Sequence, residues 1–187
     1  LVLKMHQKYL ELLESKLTAN SINAPLRIMG SNGGTWSAKD MAREAVNALL
    51  SGPAGGVTAS VGIAHLLNIP NIITYDMGGT STDTCLIRNY GYEMTTDGHV
   101  GMWPNRAPQI EIKTVGAGGG SVAYLSKGKF LNVGPRSAGA IPGPACYGRG
   151  GKEPTVTDAN VVLGRLRPGR ALGGEIDLDH DAALEAI

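Results

Sequence analysis

An α/β fold is predicted for this chain of 187 residues. Three features of the sequence point to it. The chain opens on an amphipathic helical pattern. A helix of small residues from Pro53 to about Leu67 runs straight into an apolar strand at 71–75, and its small side chains let it pack close to a sheet. Short apolar runs then recur between glycine-rich turns as far as Val133.

The elements follow in chain order. Leu3, Leu10, Leu13 and Leu17 fall at helical spacing, with Tyr9 and charges between them, and predict a helix over 1–17 with a wide apolar face. A turn at 20–25 follows, then a buried strand at 26–29 leading into Gly30-Ser-Asn-Gly-Gly34. Ser37 is placed to cap a second helix, with Met41, Ala45, Ala48 and Leu49 on one face and charges on the other. The run Ser51-Gly-Pro-Ala-Gly-Gly56 ends that helix. Pro53 suits the first turn of the third, where its missing N–H costs nothing. Strands at 71–75 and 84–87, joined by a Gly-Gly turn, form a hairpin. Further strands are predicted at 110–115, 121–125 and 130–133. A helix is predicted at 157–166, closed by Arg167-Pro168-Gly169. Asp179 reads as the N-cap of a last helix with two turns before the chain stops. Leu1 is not Met and already lies in a helical pattern. The chain is therefore expected to be one domain segment, 1–187, cut at both ends.

Composition narrows the function. Hydrophobic residues make up 42% and charged residues 18%, which is globular and not disordered. The 17 Lys and Arg nearly balance the 16 Asp and Glu, without a basic block, and this argues against nucleic acid as the main partner. Two cysteines, Cys85 and Cys146, exclude a disulfide scaffold and a four-cysteine zinc site. Neither a signal peptide nor a membrane-length apolar run is visible, so a cytoplasmic protein without membrane contact is expected. Glycine stands out: 27 residues, roughly twice the usual share. Eleven of them lie between Gly116 and Gly151, interleaved with Val, Ile, Tyr and Leu, and read as ordered loops.

Four segments carry possible chemistry. In Asp76-Met-Gly-Gly-Thr-Ser-Thr-Asp83 the glycines let the chain turn tightly. Turn amides and the hydroxyls of Thr80, Ser81 and Thr82 can converge on an anion. Asp76 and Asp83 near a phosphate need a reason, and coordinating Mg²⁺ or orienting a water supplies one. The alternative is a hairpin whose side chains only close the turn. Thr114-Val-Gly-Ala-Gly-Gly-Gly-Ser121 is not a dinucleotide fingerprint, since Ser121 stands where a glycine is needed, nor a Walker A loop, since no Lys closes it. It reads either as a close backbone approach to a nucleotide or another loop, or as a packed glycine turn. In the segment 133–147, Cys146 has no nearby His and is expected to be a buried thiol. Arg136 is either a surface arginine or an anion contact. Asp158 begins a helix, as an N-cap or as a metal or substrate contact. His6, His65, His99 and His180 are scattered, and His65 is expected to serve packing or solvation.

The order of the segments SGPAGGV, DMGGTSTD, TVGAGGGS, VGPRSAGAIPGPACYGRGG and PTVTDANVVLGRL resembles the hydantoinase A / 5-oxoprolinase family, which includes ATP-dependent N-methylhydantoinases and subunits of acetone-type carboxylases. The resemblance covers about 31–166. It implies a ribonuclease-H-like lobe of the actin, sugar-kinase and heat-shock-chaperone superfamily, here incomplete. In that superfamily two such lobes close on ATP and Mg²⁺, each offering a glycine hairpin with an aspartate. The 76–83 segment resembles the hairpin of the second lobe, and a full member carries a similar one near its N-terminus. The implied activity is an ATP-dependent hydrolase of cyclic amides, of hydantoin or 5-oxoproline type, that activates the substrate carbonyl by phosphoryl transfer. An acetone-type carboxylase subunit, or a lobe that is non-catalytic alone, are the alternatives.

By that resemblance Thr80, Ser81 and Thr82, with the amides of Gly78 and Gly79, hold phosphate. Asp76 and Asp83 hold Mg²⁺ or the reacting water, with Asp158 a further candidate metal ligand. Gly118, Gly119, Gly120 and Ser121 contact the nucleotide or an interface. The implied partner is a hydantoinase B-type subunit or domain, and apolar surface left by a missing lobe could also join two copies. Lys113 stands where many relatives carry His or Arg, and Ala45 where a proline is common.

Overall fold

The computed structural model describes residues 2–167 and 177–187. The expected helix stop at Pro168-Gly169 lies outside the described residues. Two compact units make up the chain: Leu1–Thr74 with Thr84–Lys113, and Tyr75–Asp83 with Thr114–Ile187.

The first unit begins with helix α1 (Val2–Ala19). Leu10 is buried, Leu13 and Leu17 half-buried, and Leu3 exposed, so the apolar face is narrower than its sequence suggests. Strands β1 (Arg27–Met29) and β2 (Thr35–Ser37) pair antiparallel across the glycine turn, where the Gly30 N–H donates to the Gly34 carbonyl. Ser37 caps α2 (Ala38–Arg43) as expected, its Oγ accepting the Asp40 N–H at 3.1 Å. That helix does not continue through Leu49. It stops at Glu44, and Ala45–Ala48 tighten into a 3-10 turn. The cause is Ser31, which is buried and donates its N–H and its Oγ to the Asn47 carbonyl, while its Oγ accepts the Leu50 N–H.

Helix α3 (Ser51–Leu67) holds Pro53 in its first turn and ends at Asn68, which takes a left-handed conformation. Its buried Ala54 and Val57 meet Cys85, Ile87 and Ile110 to form the core of this unit. His65 stacks on Tyr90 with ring centroids 4.0 Å apart, the packing role expected of it.

The chain then runs through β3 (Ile72–Met77), β4 (Thr82–Arg88), β5 (Gly91–Tyr92), β6 (Met94–Thr95), β7 (Gly98–Val100), β8 (Trp103–Asn105), β9 (Gln109–Ile110) and β10 (Lys113–Val115). One sheet has the order β10-β4-β3, with β5 also on β4; β6 pairs β9 and β7 pairs β8. The unit boundaries fall inside β3, within β4 and within β10. The single strand expected over 110–115 is two, in different sheets. The backbone changes partners there: the Ile110 N–H donates to the Ser31 carbonyl and the Glu111 N–H to the Glu93 carbonyl.

In the second unit β11 (Ser121–Leu125) and β12 (Leu131–Ser137) form an antiparallel hairpin. Helix α4 (Val156–Val162) ends four residues before its expected end at Leu166. Gly164 turns left-handed at φ +69, and the Asn160 carbonyl accepts from both Arg165 and Leu166. Helix α5 (His180–Ala186) is capped by Asp179, as expected. Cys146, Val161, Leu178 and Ala183 form the core here. No described helix is long and apolar enough to cross a membrane.

Replacing Ser31 with Ala removes both bonds its hydroxyl makes around the 3-10 turn. Urea unfolding of Ser31→Ala in the full-length protein is expected to show a loss of about 1–2 kcal/mol. An unchanged midpoint would mean that the turn does not depend on the Ser31 hydroxyl.

Candidate functional site

The turn of the β3–β4 hairpin is closed by one bond, from the Gly78 N–H to the Ser81 carbonyl, at 2.9 Å. Counting outward from that pair places Asp76 opposite Asp83, two positions along each strand. The same register brings Thr74 level with Cys85, whose N–H donates to Thr74 Oγ at 2.9 Å. The two aspartates are therefore strand residues on one face of the hairpin, not turn residues. Directly opposed like charges repel across a strand pair, so this arrangement favours a bound cation. Asp76 is exposed and Asp83 half-buried, with Oδ1 accepting from Thr114 Oγ at 2.6 Å.

On the other face the glycine-rich loop lies against the turn. The Gly119 N–H donates to the Gly78 carbonyl at 2.9 Å, and the Gly120 N–H to the Gly79 carbonyl at 2.7 Å. Thr82 is buried and donates its hydroxyl to the Ala117 carbonyl. The approach is so close that a Cβ on Gly118 would stand 2.7 Å from backbone atoms of Thr80 and Ser81. Ser121 is fully buried, and its Oγ accepts the Gly118 N–H at 2.8 Å. This is the approach of one loop to another, one of the two readings left open for the segment.

These bonds revise the expected roles. The Gly78 amide and the Thr82 hydroxyl are spent inside the protein and cannot also hold phosphate. The amides of Gly118, Gly119 and Gly120 and the Ser121 hydroxyl are committed in the same way, though Gly119 and Gly120 still line the adjoining cleft. What is left for an anion is the top of the turn. Among the described residues, no acceptor meets the amides of Gly79, Thr80 and Ser81, although Gly118 packs against the nitrogens of Thr80 and Ser81. A Cβ on Gly79 would meet nothing within 4 Å, so the space above it is open.

A cleft of about 560 Å³ in this unit adjoins the turn at Gly78, Gly79 and Thr80 and is lined further by Tyr147, Asn160 and Leu166. Met77 also lines it. Strand alternation puts Asp76 and Asp83 on the face away from Met77. Cleft, turn and carboxylates thus follow one another around the tip of the hairpin.

Asp158 has a structural task. Thr155, not Asp158, is the N-cap of α4, and Asp158 completes a capping box. Its carboxylate is fully buried and accepts four hydrogen bonds, from Thr155 N, Thr155 Oγ, Ala145 N and Cys146 N. With its oxygens so occupied it is not placed among the metal ligands. Cys146 is also fully buried. Burial first, then the neighbouring Asp158 carboxylate, push its thiol up from 9.0 to about 12, which fits a packing thiol and not a nucleophile. Arg136 pairs at the surface with both oxygens of Glu153. Lys113 pairs with Glu111 at 2.6 Å, which neutralises the cation. Among the described residues no group of three or more His, Cys, Asp or Glu gathers around one point. The sequence reading missed the cleft side chains Tyr147 and Asn160 as candidates. Asn160 stands two residues after Asp158 in a motif already singled out, and that position was the available signal.

Comparison with known proteins identifies relatives of this chain. The model of the Hydantoinase/oxoprolinase family matches residues 1–187. Caprolactamase subunit alpha of Pseudomonas jessenii is 45% identical over 180 residues, covering 96% of this chain and 26% of that protein. The acetophenone carboxylase gamma subunit of Aromatoleum aromaticum is 38% identical over 178 residues, covering 92% and 24%. The crystal structure of ATP-dependent caprolactamase from Pseudomonas jessenii superposes with a TM-score of 0.76 at 42% identity, over 96% of this chain and 26% of that one. The α/β fold expected from the sequence is the fold of the matching quarter of that ATP-dependent enzyme. The chain spans about a quarter of the length of these relatives.

The loop contact is tested by two alanines. Gly118→Ala is expected to destabilise the full-length protein by about 1–3 kcal/mol, because backbone must move aside. Gly79→Ala, facing open space, should stay within about 0.5 kcal/mol of the parent in the same denaturant titration. Equal effects would refute the close approach. Cys146 is tested by pH. The thiol of the unfolded chain ionises near 9.0 and that of the folded chain near 12. The unfolded state therefore gains stability first, and the folded protein loses stability as pH rises through that window. At pH 8 Cys146 should resist iodoacetamide until the protein unfolds, read by mass spectrometry of the labelled peptide.

Proposed function

Since this chain belongs to the hydantoinase/oxoprolinase family, we propose that it is the nucleotide-handling part of an ATP-dependent hydrolase of cyclic amides. The observation that carries the reading is the hairpin tip: three turn amides without acceptors, open space above Gly79, and two opposed aspartates beside them. Turn amides of this kind suit phosphate oxygens. A carboxylate pair suits Mg²⁺, which is commonly held by one or two carboxylates together with substrate phosphates. The residues present therefore fit ATP and Mg²⁺.

In this reading the amides of Gly79, Thr80 and Ser81, with the Thr80 and Ser81 hydroxyls, hold and orient the phosphates. Asp76 and Asp83 hold the cation or position a water, and Thr114 keeps Asp83 turned to its task. The loop at 118–121 fixes the turn through its committed amides, and its Gly119 and Gly120 also form part of the cleft wall. Bound ATP supplies the phosphoryl group that activates the carbonyl oxygen of an otherwise unreactive amide. Positioning and charge neutralisation account for most of such catalysis.

The proposed substrate is a cyclic amide of hydantoin, 5-oxoproline or lactam type, and the proposed partner is a hydantoinase B-type subunit or domain in the cytoplasm. A subunit designation in both named relatives supports the need for a partner. Likeness to the acetophenone carboxylase subunit supports a second reading, in which the activated oxygen belongs to an enolate and carbon dioxide or bicarbonate is consumed.

The test is substrate-stimulated ATP hydrolysis by the full-length protein with its partner. Asp76→Ala and Asp83→Ala should each lower turnover on the order of a hundredfold, with an unchanged unfolding midpoint. Full ATP turnover in both variants would refute the assignment. Turnover that requires bicarbonate and a ketone, and ignores cyclic amides, would establish the carboxylase reading instead.

A further inference from the structure

Resting on the nucleotide reading above, we infer that the cleft beside the hairpin takes the base and ribose, and that Asn160 selects adenine over guanine. The cleft measures about 560 Å³, within the range of sites for ligands of nucleotide size, and a small cyclic amide would leave most of it empty. None of the described residues lining it carries a charge. An anionic substrate body finds no counter-ion there, whereas a neutral base does not need one. The anionic end of the same ligand meets the turn amides at Gly79 and Thr80, where the cleft opens.

Two side chains give the cleft its selectivity. Tyr147 offers an aromatic face and packs against the Cys146 core of this unit. Its position is defended by Gly143, where φ is +79 and an added Cβ would come within 2.9 Å of the Tyr147 ring. Asn160, on α4, is half-buried. Its main-chain carbonyl is held by Arg165 and Leu166, which fixes the base of the side chain. Its carboxamide is nearly uncommitted: Oδ1 meets only Arg165 Nη1, at 3.5 Å, and Nδ2 donates to none of the described residues. A free carboxamide sets one acceptor beside one donor. Adenine answers both at once through N6 and N7, whereas guanine offers two acceptors, O6 and N7, on the same edge. Asn160 can therefore pair twice with adenine and once with guanine.

The experiment is calorimetric titration of the full-length protein with ATP, GTP and inorganic triphosphate, each with Mg²⁺. The parent should bind ATP more tightly than GTP. In Asn160→Ala the preference should fall about tenfold, with triphosphate affinity unchanged. Asn160→Asp keeps the shape, loses the donor and should shift the preference in the same direction. Thermal unfolding at the parent midpoint separates selectivity from folding. A preference for ATP that survives in either folded variant overturns the role of Asn160 and leaves the phosphate site standing. A parent that binds triphosphate as tightly as ATP overturns the base site. A parent that binds neither overturns the nucleotide reading itself.

Discussion

Two backbone hydrogen bonds hold the candidate site together: Gly119 N–H to Gly78 carbonyl, and Gly120 N–H to Gly79 carbonyl. They join two glycine turns far apart in sequence, face to face, with no side chain between them. Any Cβ on Gly118 or Gly120 would stand inside contact distance of the opposing backbone. Glycine is required here by proximity and not by an unusual φ, for neither residue has a positive φ. The bonds also orient the turn. By engaging the carbonyls of Gly78 and Gly79 from one side, the loop leaves the neighbouring amides as the polar groups available to a ligand. A rigid donor array of this kind needs little reorganisation when charge arrives.

The buried Asp158 plays the same part for the wall of the cleft. Two of its four hydrogen bonds, from Ala145 N and Cys146 N, tie the start of α4 to the turn that carries Cys146 and Tyr147, and the other two, from Thr155, hold it at the helix start. A carboxylate without bonds could not remain buried at such depth. With them it fixes Asn160 and Tyr147 as neighbours in one cleft, though ten residues separate Tyr147 from Asp158. A residue that looked from sequence like a possible ligand thus serves to place two others.

Local chemistry was legible in the sequence, and long-range partnership was not. The caps at Ser37 and Asp179, the small-residue helix α3 and the hairpin around Gly78 and Gly79 all follow from residues within a few positions of each other. The second helix is shorter than its residue pattern implies because Ser31, well upstream, draws the Asn47 carbonyl out of helical register. The segment 110–115 has the composition of one strand, and nothing in it records that Ile110 and Lys113 join different sheets. For the site, the sequence offered a set of glycines and hydroxyls but could not divide them. Thr82 and Ser121 are as polar as Thr80 and Ser81, and only the fold decides which hydroxyls turn inward.

The second unit is not a continuous stretch of chain. Tyr75–Asp83 reaches it from within the first unit, and the rest begins at Thr114. A gene that exchanged everything after Lys113 with a distant relative would pair an inherited turn with a foreign glycine loop. One bulkier residue at the position of Gly118 would then be enough to spoil the join. A recombination that separates 75–83 from 114–121 therefore endangers this contact, and the hairpin and its loop are best inherited as a block.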